Sequence, residues 1–174
     1  MRHNIELTET RMPGRLIGIA SRTAKRAPMQ LLAAAELSLA AGLIGCWRSA
    51  KFKSRQITIM AREDWQAALL DLVGPVGPPD LAWTTRRANL LVEGVRLPRA
   101  KGGVLRVGAT VLEITGQTNP CHRMEEAYRG LLSALHPQWR GGVTCRIVEA
   151  GSIRLGDAVE ILVAPVEHVI RLPG

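Results

Sequence analysis

Short stretches in which apolar and polar residues alternate dominate this chain. In 55–60 (RQITIM) and 109–115 (ATVLEIT) β-branched apolar residues alternate with polar ones, the pattern of a half-buried strand. Segments 14–20, 35–40, 88–96, 104–107, 143–149 and 158–163 read the same way. Between them stand glycine turns at Gly102-Gly103, Gly141-Gly142, Ala150-Gly151-Ser152 and Gly156-Asp157. Many short strands joined by glycine turns predict a β-barrel or sandwich. The period changes to that of a helix twice. Over 62–72 acidic residues open the run and Trp65, Leu69 and Leu72 share a face; the sequence VGPVGPPD (73–80) ends it, because proline has no N–H to continue the ladder. A second helix is expected after TGQTNP, with Thr118 or Asn119 as N-cap and Pro120 at the first helical position. That places Cys121 and His122 in the first turn, with Met124, Ala127, Tyr128, Leu131 and Leu135 as an apolar stripe. Composition does not shift along the chain and no repeat is visible, so residues 1–174 read as one domain, with a core of about 14–165 and terminal extensions 1–13 and 166–174.

Composition narrows this picture. Apolar residues are 47% of 174, enough for a core, but aromatics are only 3%, so the core must be built from Val, Leu, Ile and Ala. Few aromatics also argue against a single-strand nucleic-acid platform, which stacks bases on rings. The net charge of +8 comes mostly from arginine, whose planar fork grips oxyanions with paired hydrogen bonds. The basic residues are spread out, which fits a small anionic ligand better than a polyanion, and a nucleic-acid partner is not expected. Three cysteines without a CxxC pair give neither a disulfide framework nor a zinc site and suit a reducing cytoplasm. The first fifteen residues lack the apolar core of a signal peptide. Segment 31–47 is apolar but short, and Glu36 and two glycines interrupt it, so no membrane span is expected.

Cys121 is the residue through which chemistry enters. A thiol at a helix start, near Arg123 and His122, meets partial positive charge that favours the thiolate, a nucleophile and a ligand for soft metals. The alternative is a small hydrophobe, since Cys121 falls on the apolar stripe and free cysteine is often buried. Cys145, inside VTCRIV, and Cys46, beside Trp47, read as structural. Arg86, Arg87 and Asn89 stand where a strand leaves a loop, and Arg140 precedes the two glycines 141 and 142, whose open backbone admits an anion. No phosphate-binding loop, nucleophile elbow or HExxH zinc motif is present.

Taken in order, RRANLLVEGV, RVGATVLEITGQTNPC and WRGGVTCRIVEAGSIRLGDAVEI, with SRQITIM upstream, resemble the MOSC domain family, in its stand-alone bacterial form. The resemblance implies a mainly β fold, a barrel of the pyruvate-kinase-barrel-like kind with two or three helices at its edge. It implies binding of the molybdenum cofactor, a pterin dithiolene carrying a phosphate. In reductase members the motif cysteine ligates molybdenum and N-hydroxylated compounds are reduced. Carried over residue by residue, Cys121 is the metal or sulfur cysteine, Asn89 matches the Asn of the family's R-x-N stretch, Arg87 sits where members usually have a basic residue, and Arg140, Gly141 and Gly142 match the R-G-G turn. Beside these, the residues themselves offer His122 as a proton donor and Arg86, Thr115, Thr118 and Arg123 as further cofactor contacts. Reduction would draw on a separate electron-donor protein, because no flavin, haem or iron–sulfur motif is seen. A non-catalytic carrier of sulfur or cofactor on Cys121 is the second reading, and a basic barrel with a buried structural cysteine the third. Pyridoxal phosphate, which sulfurases hold in a separate domain, is not expected. Members often read G-L-x-G-D in the first third; here GLIGC puts Cys46 at the Asp position.

Overall fold

The computed structural model describes residues 12–168; the expected leader-free N-terminus and most of both terminal extensions lie outside them. The described chain forms eleven strands and three short helices. They are β1 (Gly14–Ser21), β2 (Gln30–Leu31), β3 (Ala34–Ser38), β4 (Gly42–Leu43), β5 (Ile57–Ala61), α1 (Arg62–Leu70), β6 (Leu90–Glu93), β7 (Val104–Val107), β8 (Thr110–Gln117), α2 (His122–Ala127), α3 (Leu131–Leu135), β9 (Val143–Glu149), β10 (Gly151–Arg154) and β11 (Ala158–Val163).

Seven strands close a barrel in the order β11-β7-β8-β9-β5-β6-β1, and β1 returns to β11 with Gly14 opposite Val159 and Arg15 opposite Ala158. Closure removes the exposed edges that an open sheet must protect. β2 extends β1 outward, and β10, β3 and β4 make a small second sheet. Every barrel pair is antiparallel except β5 with β6. That exception follows from α1, since strands joined by a helical crossover run in the same direction.

Side-chain alternation explains why this pair carries the helices. Ile57, Ile59 and Ala61 of β5 and Leu90 and Val92 of β6 point into the barrel core. The intervening Met60 and Leu91 point outward, into a second apolar cluster with Trp65, Ala68, Met124, Leu131 and Leu135. Both faces of these strands are therefore buried, one by the barrel and one by the helices. The barrel core itself is aliphatic: Leu16, Ile19, Leu105, Leu112 and Ile114 are fully buried.

Three expectations need correction. The second helix is not continuous to Leu135. It stops at Ala127, and Gly130, in the left-handed region at φ 88°, starts a new short helix. Nor do Thr118 or Asn119 cap it: Cys121 itself is the N-cap, extended at φ −119° and ψ 171°, and makes no side-chain cap bond. Pro120 is thus outside the helix. Finally, Gly151 and Ser152, read as a turn, open β10, which pairs with β3. Apolar segment 31–47 is short strands separated by turns, and among the described residues no helix is long and apolar enough to cross a membrane.

One glycine at the barrel rim sets a measurable limit. Gly142 has φ +95°, and a Cβ there would sit 2.2 Å from the Ile59 carbonyl oxygen. Gly142→Ala combines left-handed strain with a backbone clash, and should cost about 3 kcal/mol. A urea unfolding curve checks this; an unchanged midpoint would contradict it.

Candidate functional site

Four segments meet at one end of the barrel and enclose a cavity of about 510 Å³. They are the loop following β1, the stretch between β4 and β5, the turn before β6, and the link from β8 to α2. Each lies outside the strand ladders, two of them carrying a short 3-10 turn (Lys53–Arg55 and Trp83–Arg86), so side chains rather than ladder bonds fill the space.

The lining is strongly basic. Arg22, Lys25, Arg48, Lys51, Arg55, Arg86, Arg87 and Arg123 line it, and among the described residues no Asp or Glu does. Arg86 and Arg22 are buried in it, each at 7% exposure, and Arg86 makes the larger set of bonds. Its Nη2 donates to the Thr118 oxygen at 2.9 Å and its Nε to the Gly141 oxygen at 3.1 Å. These neutral carbonyls satisfy its hydrogen bonds without cancelling its charge. Burial pushes Arg86 down to about 10, so it remains a cation at neutral pH. Burial also lowers Arg22, Arg55 and Arg87, and the like charge of a neighbouring arginine lowers each further.

Arg87 sits in the left-handed region at φ 63°, an uncommon conformation for a residue with a Cβ. One Nη2 bond to the Ala27 oxygen at 3.0 Å fixes its far end, while its buried Nε has no partner. The Thr118 hydroxyl is likewise buried and unpartnered, and Thr118 lines the cavity. Buried polar atoms without partners are rare in folded chains, and here they stand beside concentrated positive charge.

Cys121 lines this cavity and is exposed, so the reading of it as a core filler does not hold. It shares this lining with the guanidinium groups of Arg55, Arg86 and Arg87. α2 has only six residues, so the helix contributes little of the field expected from it.

The remaining expected site residues divide. Arg86, Arg87, Asn89, Thr118 and Arg123 line the cavity with Cys121. Asn89 spends its amide on the scaffold: Oδ1 accepts from Thr58 N and Oγ1, and Nδ2 donates to the Ala20 oxygen at 3.2 Å. His122 points away, its side chain 82% exposed and 3.7 Å from Glu126. Thr115 bonds Thr144 and the Ser54 carbonyl, clipping β8 to β9. Arg140 pairs with Asp71 and donates to the Ala134 oxygen, outside the cavity. Gly141 and Gly142 pack against Thr118, Arg86 and Ile59 rather than opening toward an anion.

Most of the lining escapes the sequence reading. Segment 47–55 (WRSAKFKSR) holds four basic residues in nine, with Trp47 and Phe52 between them. That local density was the available signal, hidden by treating the charge as evenly spread. Lys51 Nζ lies 3.7 Å from the Trp47 ring centroid and the Arg22 guanidinium 5.6 Å, so the ring is held between two cations. Cys46, read as structural, also lines the cavity.

Comparison with known proteins agrees with this architecture. The family model described as MOSC domain matches residues 47–160. Among solved structures the chain is similar to the YuaD protein from Bacillus subtilis, at 19% identity and a TM-score of 0.69 over 86% of this chain and 96% of that one. It is also similar to YiiM from Geobacillus stearothermophilus (13% identity, TM-score 0.65, 86% of this chain and 75% of that one). YiiM from Escherichia coli follows (14% identity, TM-score 0.59, 89% of this chain and 72% of that one). A search of curated proteins finds no match.

Proposed function

The chain belongs to the MOSC domain family, which is associated with molybdenum cofactor binding, and from that premise we propose that its basic cavity holds the molybdenum cofactor with Cys121 as the metal's protein ligand. The observation that carries the reading is a charge imbalance: eight cationic side chains, one of them buried against carbonyls alone, with no acidic partner in the lining. Burying uncompensated charge is costly, and an anionic ligand supplies the missing counter-charge.

The residues fit the group. The phosphate of the pterin suits Arg55, Arg86, Arg87 and Arg123, which line one cavity. The flat pterin suits the side of the cavity lined by Trp47 and Phe52, where aromatic side chains form part of the wall. The exposed sulfur of Cys121 is a soft ligand for a soft metal. When bound, the cofactor supplies a two-electron redox centre. The chain's own part is to screen the cofactor's charge, fix its orientation and leave one side of the cavity open for a substrate.

For the reaction, we propose reduction of small N-hydroxylated compounds, with electrons arriving from a separate donor protein. His122 is too exposed and too far round α2 to share the cavity with Cys121 in this arrangement, so proton delivery falls to solvent entering the open side. Carriage of sulfur on Cys121 is the second reading, favoured by its exposure, which lets another protein reach it.

Protein purified from a host that makes the cofactor decides between these. The cofactor reading expects about one molybdenum per chain by elemental analysis, with the fluorescent oxidised pterin released on denaturation. A protein free of both, whose Cys121 carries an extra sulfur by mass spectrometry, would overturn it in favour of carriage.

A further inference from the structure

The cavity holds more positive charge than the proposed cofactor contacts use. Arg55, Arg86, Arg87 and Arg123 suit the phosphate, which leaves Arg22, Lys25, Arg48 and Lys51 in the same lining. Arg22 serves the scaffold: its Nη1 donates to the Lys25 oxygen at 2.8 Å and holds the loop following β1 against the wall. Arg48 and Lys51 are exposed, and Lys51 lays its ammonium on the Trp47 ring, 3.7 Å from the centroid. Among the described residues no cation of the cavity belongs to an ion pair. The carboxylates of Asp64, Asp71, Glu93, Glu113, Glu126 and Glu167 pair with bases elsewhere. Arg48 is also felt deep in the cavity. Burial is the first cause of the lowered pKa values of Arg22, Arg55, Arg86 and Arg87, and the charge of Arg48 lowers all four further.

We propose that Arg48 and Lys51 form the substrate-selecting wall of this cavity, taking the carboxylate of an anionic N-hydroxylated substrate and turning away cationic ones. A cleft lined by charge of one sign focuses its field and concentrates ligands of the opposite sign. The Arg48 guanidinium can grip a carboxylate with two parallel hydrogen bonds, and the Lys51 ammonium adds a point charge beside it. A protonated amidine or guanidine instead meets eight cations and, among the described residues, no carboxylate in the lining. Glu126 lines the adjoining open groove with Arg26, Arg87 and Arg123, not this cavity. The N-hydroxyl part of the inference rests on the reductase reading; the preference for a carboxylate rests on the wall alone.

Calorimetric titration of the full, metal-free chain tests this with three probes: benzamidoxime, 4-carboxybenzamidoxime and pyrophosphate. The carboxylated amidoxime should bind at least about tenfold more tightly than its neutral parent. In the double variant Arg48→Gln/Lys51→Gln the two amidoximes should bind within about twofold of each other, while pyrophosphate, held at the Arg86 end, should lose less than about threefold. Retained pyrophosphate binding also shows that the variant is folded. Equal affinity for the two amidoximes in the wild-type chain would overturn the inference. So would a preference that survives the double variant, which would move the carboxylate to the cofactor end. The reductase reading fails by a different result: protein from a host that makes the cofactor would hold no molybdenum, or would reduce neither amidoxime, whatever the titrations give.

Discussion

Arg86→Met is expected to lower the stability of the ligand-free protein by about 2 kcal/mol and to abolish its stabilisation by phosphate-class anions. The guanidinium ties three strand-end carbonyls together, those of Gly141, Thr118 and, at 3.4 Å, Asn119. Methionine fills similar volume but leaves these oxygens without a donor, at a cost of roughly 1–3 kcal/mol for each that water cannot reach. Relief of a buried charge offsets part of that loss. For a domain of this size the net change corresponds to a fall of roughly 4–8 °C in Tm.

The sign of the charge effect can be worked out from pH. Burial depresses the folded pKa of Arg86 to about 10, below its ordinary value, so the folded state resists holding its proton. The penalty is fully present below pH 10 and is relieved as pH rises through the folded value. An anion in the cavity relieves it at neutral pH instead. Pyrophosphate titrated against the wild-type protein should raise Tm and change Trp47 fluorescence, since Trp47 lines the cavity. In Arg86→Met the same titration should leave Tm nearly flat. Equal stabilisation of both proteins would show that the cavity's charge, and Arg86 in particular, does not serve anion binding.

The barrel was legible because alternation marks its half-buried strands and continuous apolar runs mark the doubly buried ones. β1, β7, β9 and β11 fall where the pattern of Val, Leu and Ile puts them. β2 and β4, two residues each, carry too little pattern to be seen, and β10 was masked by its opening glycine. The break near Tyr128 was hidden because apolar spacing continues across Gly130; only the glycine marked the change of direction. At the site, Arg86, Arg87 and Cys121 were legible from their position at strand and helix starts. Arg140 and Gly141-Gly142 have the right residue types for an anion cradle, but Asp71 takes the arginine and close backbone packing takes the glycines. Residue type identifies what a side chain can bind, and tertiary competition decides whether it is free to do so. Cys46 shows the reverse: an apolar context in sequence, and a basic wall in space.

Cys121→Ser should remove at least about nine-tenths of the bound molybdenum while leaving the fold intact. A hydroxyl is far harder than a thiolate and stays protonated at neutral pH, so it is a poor ligand for a soft metal. Structurally the exchange is nearly silent. Cys121 is exposed and gives its helix no side-chain cap bond, so stability should change by less than about 0.5 kcal/mol. The pterin should be retained in part, because the arginines that would hold its phosphate are untouched. Cys145→Ser is the matching control. It places a hydroxyl at a fully buried point of the aliphatic core, which should cost about 1–3 kcal/mol and leave the metal content per folded chain unchanged. Elemental analysis paired with thermal melts of both variants separates the two thiols. Full molybdenum in Cys121→Ser would remove that residue from the metal's coordination and leave the cavity as an anion site whose metal, if any, is held by something else. Loss of metal in both variants would trace the effect to damaged folding and not to ligation.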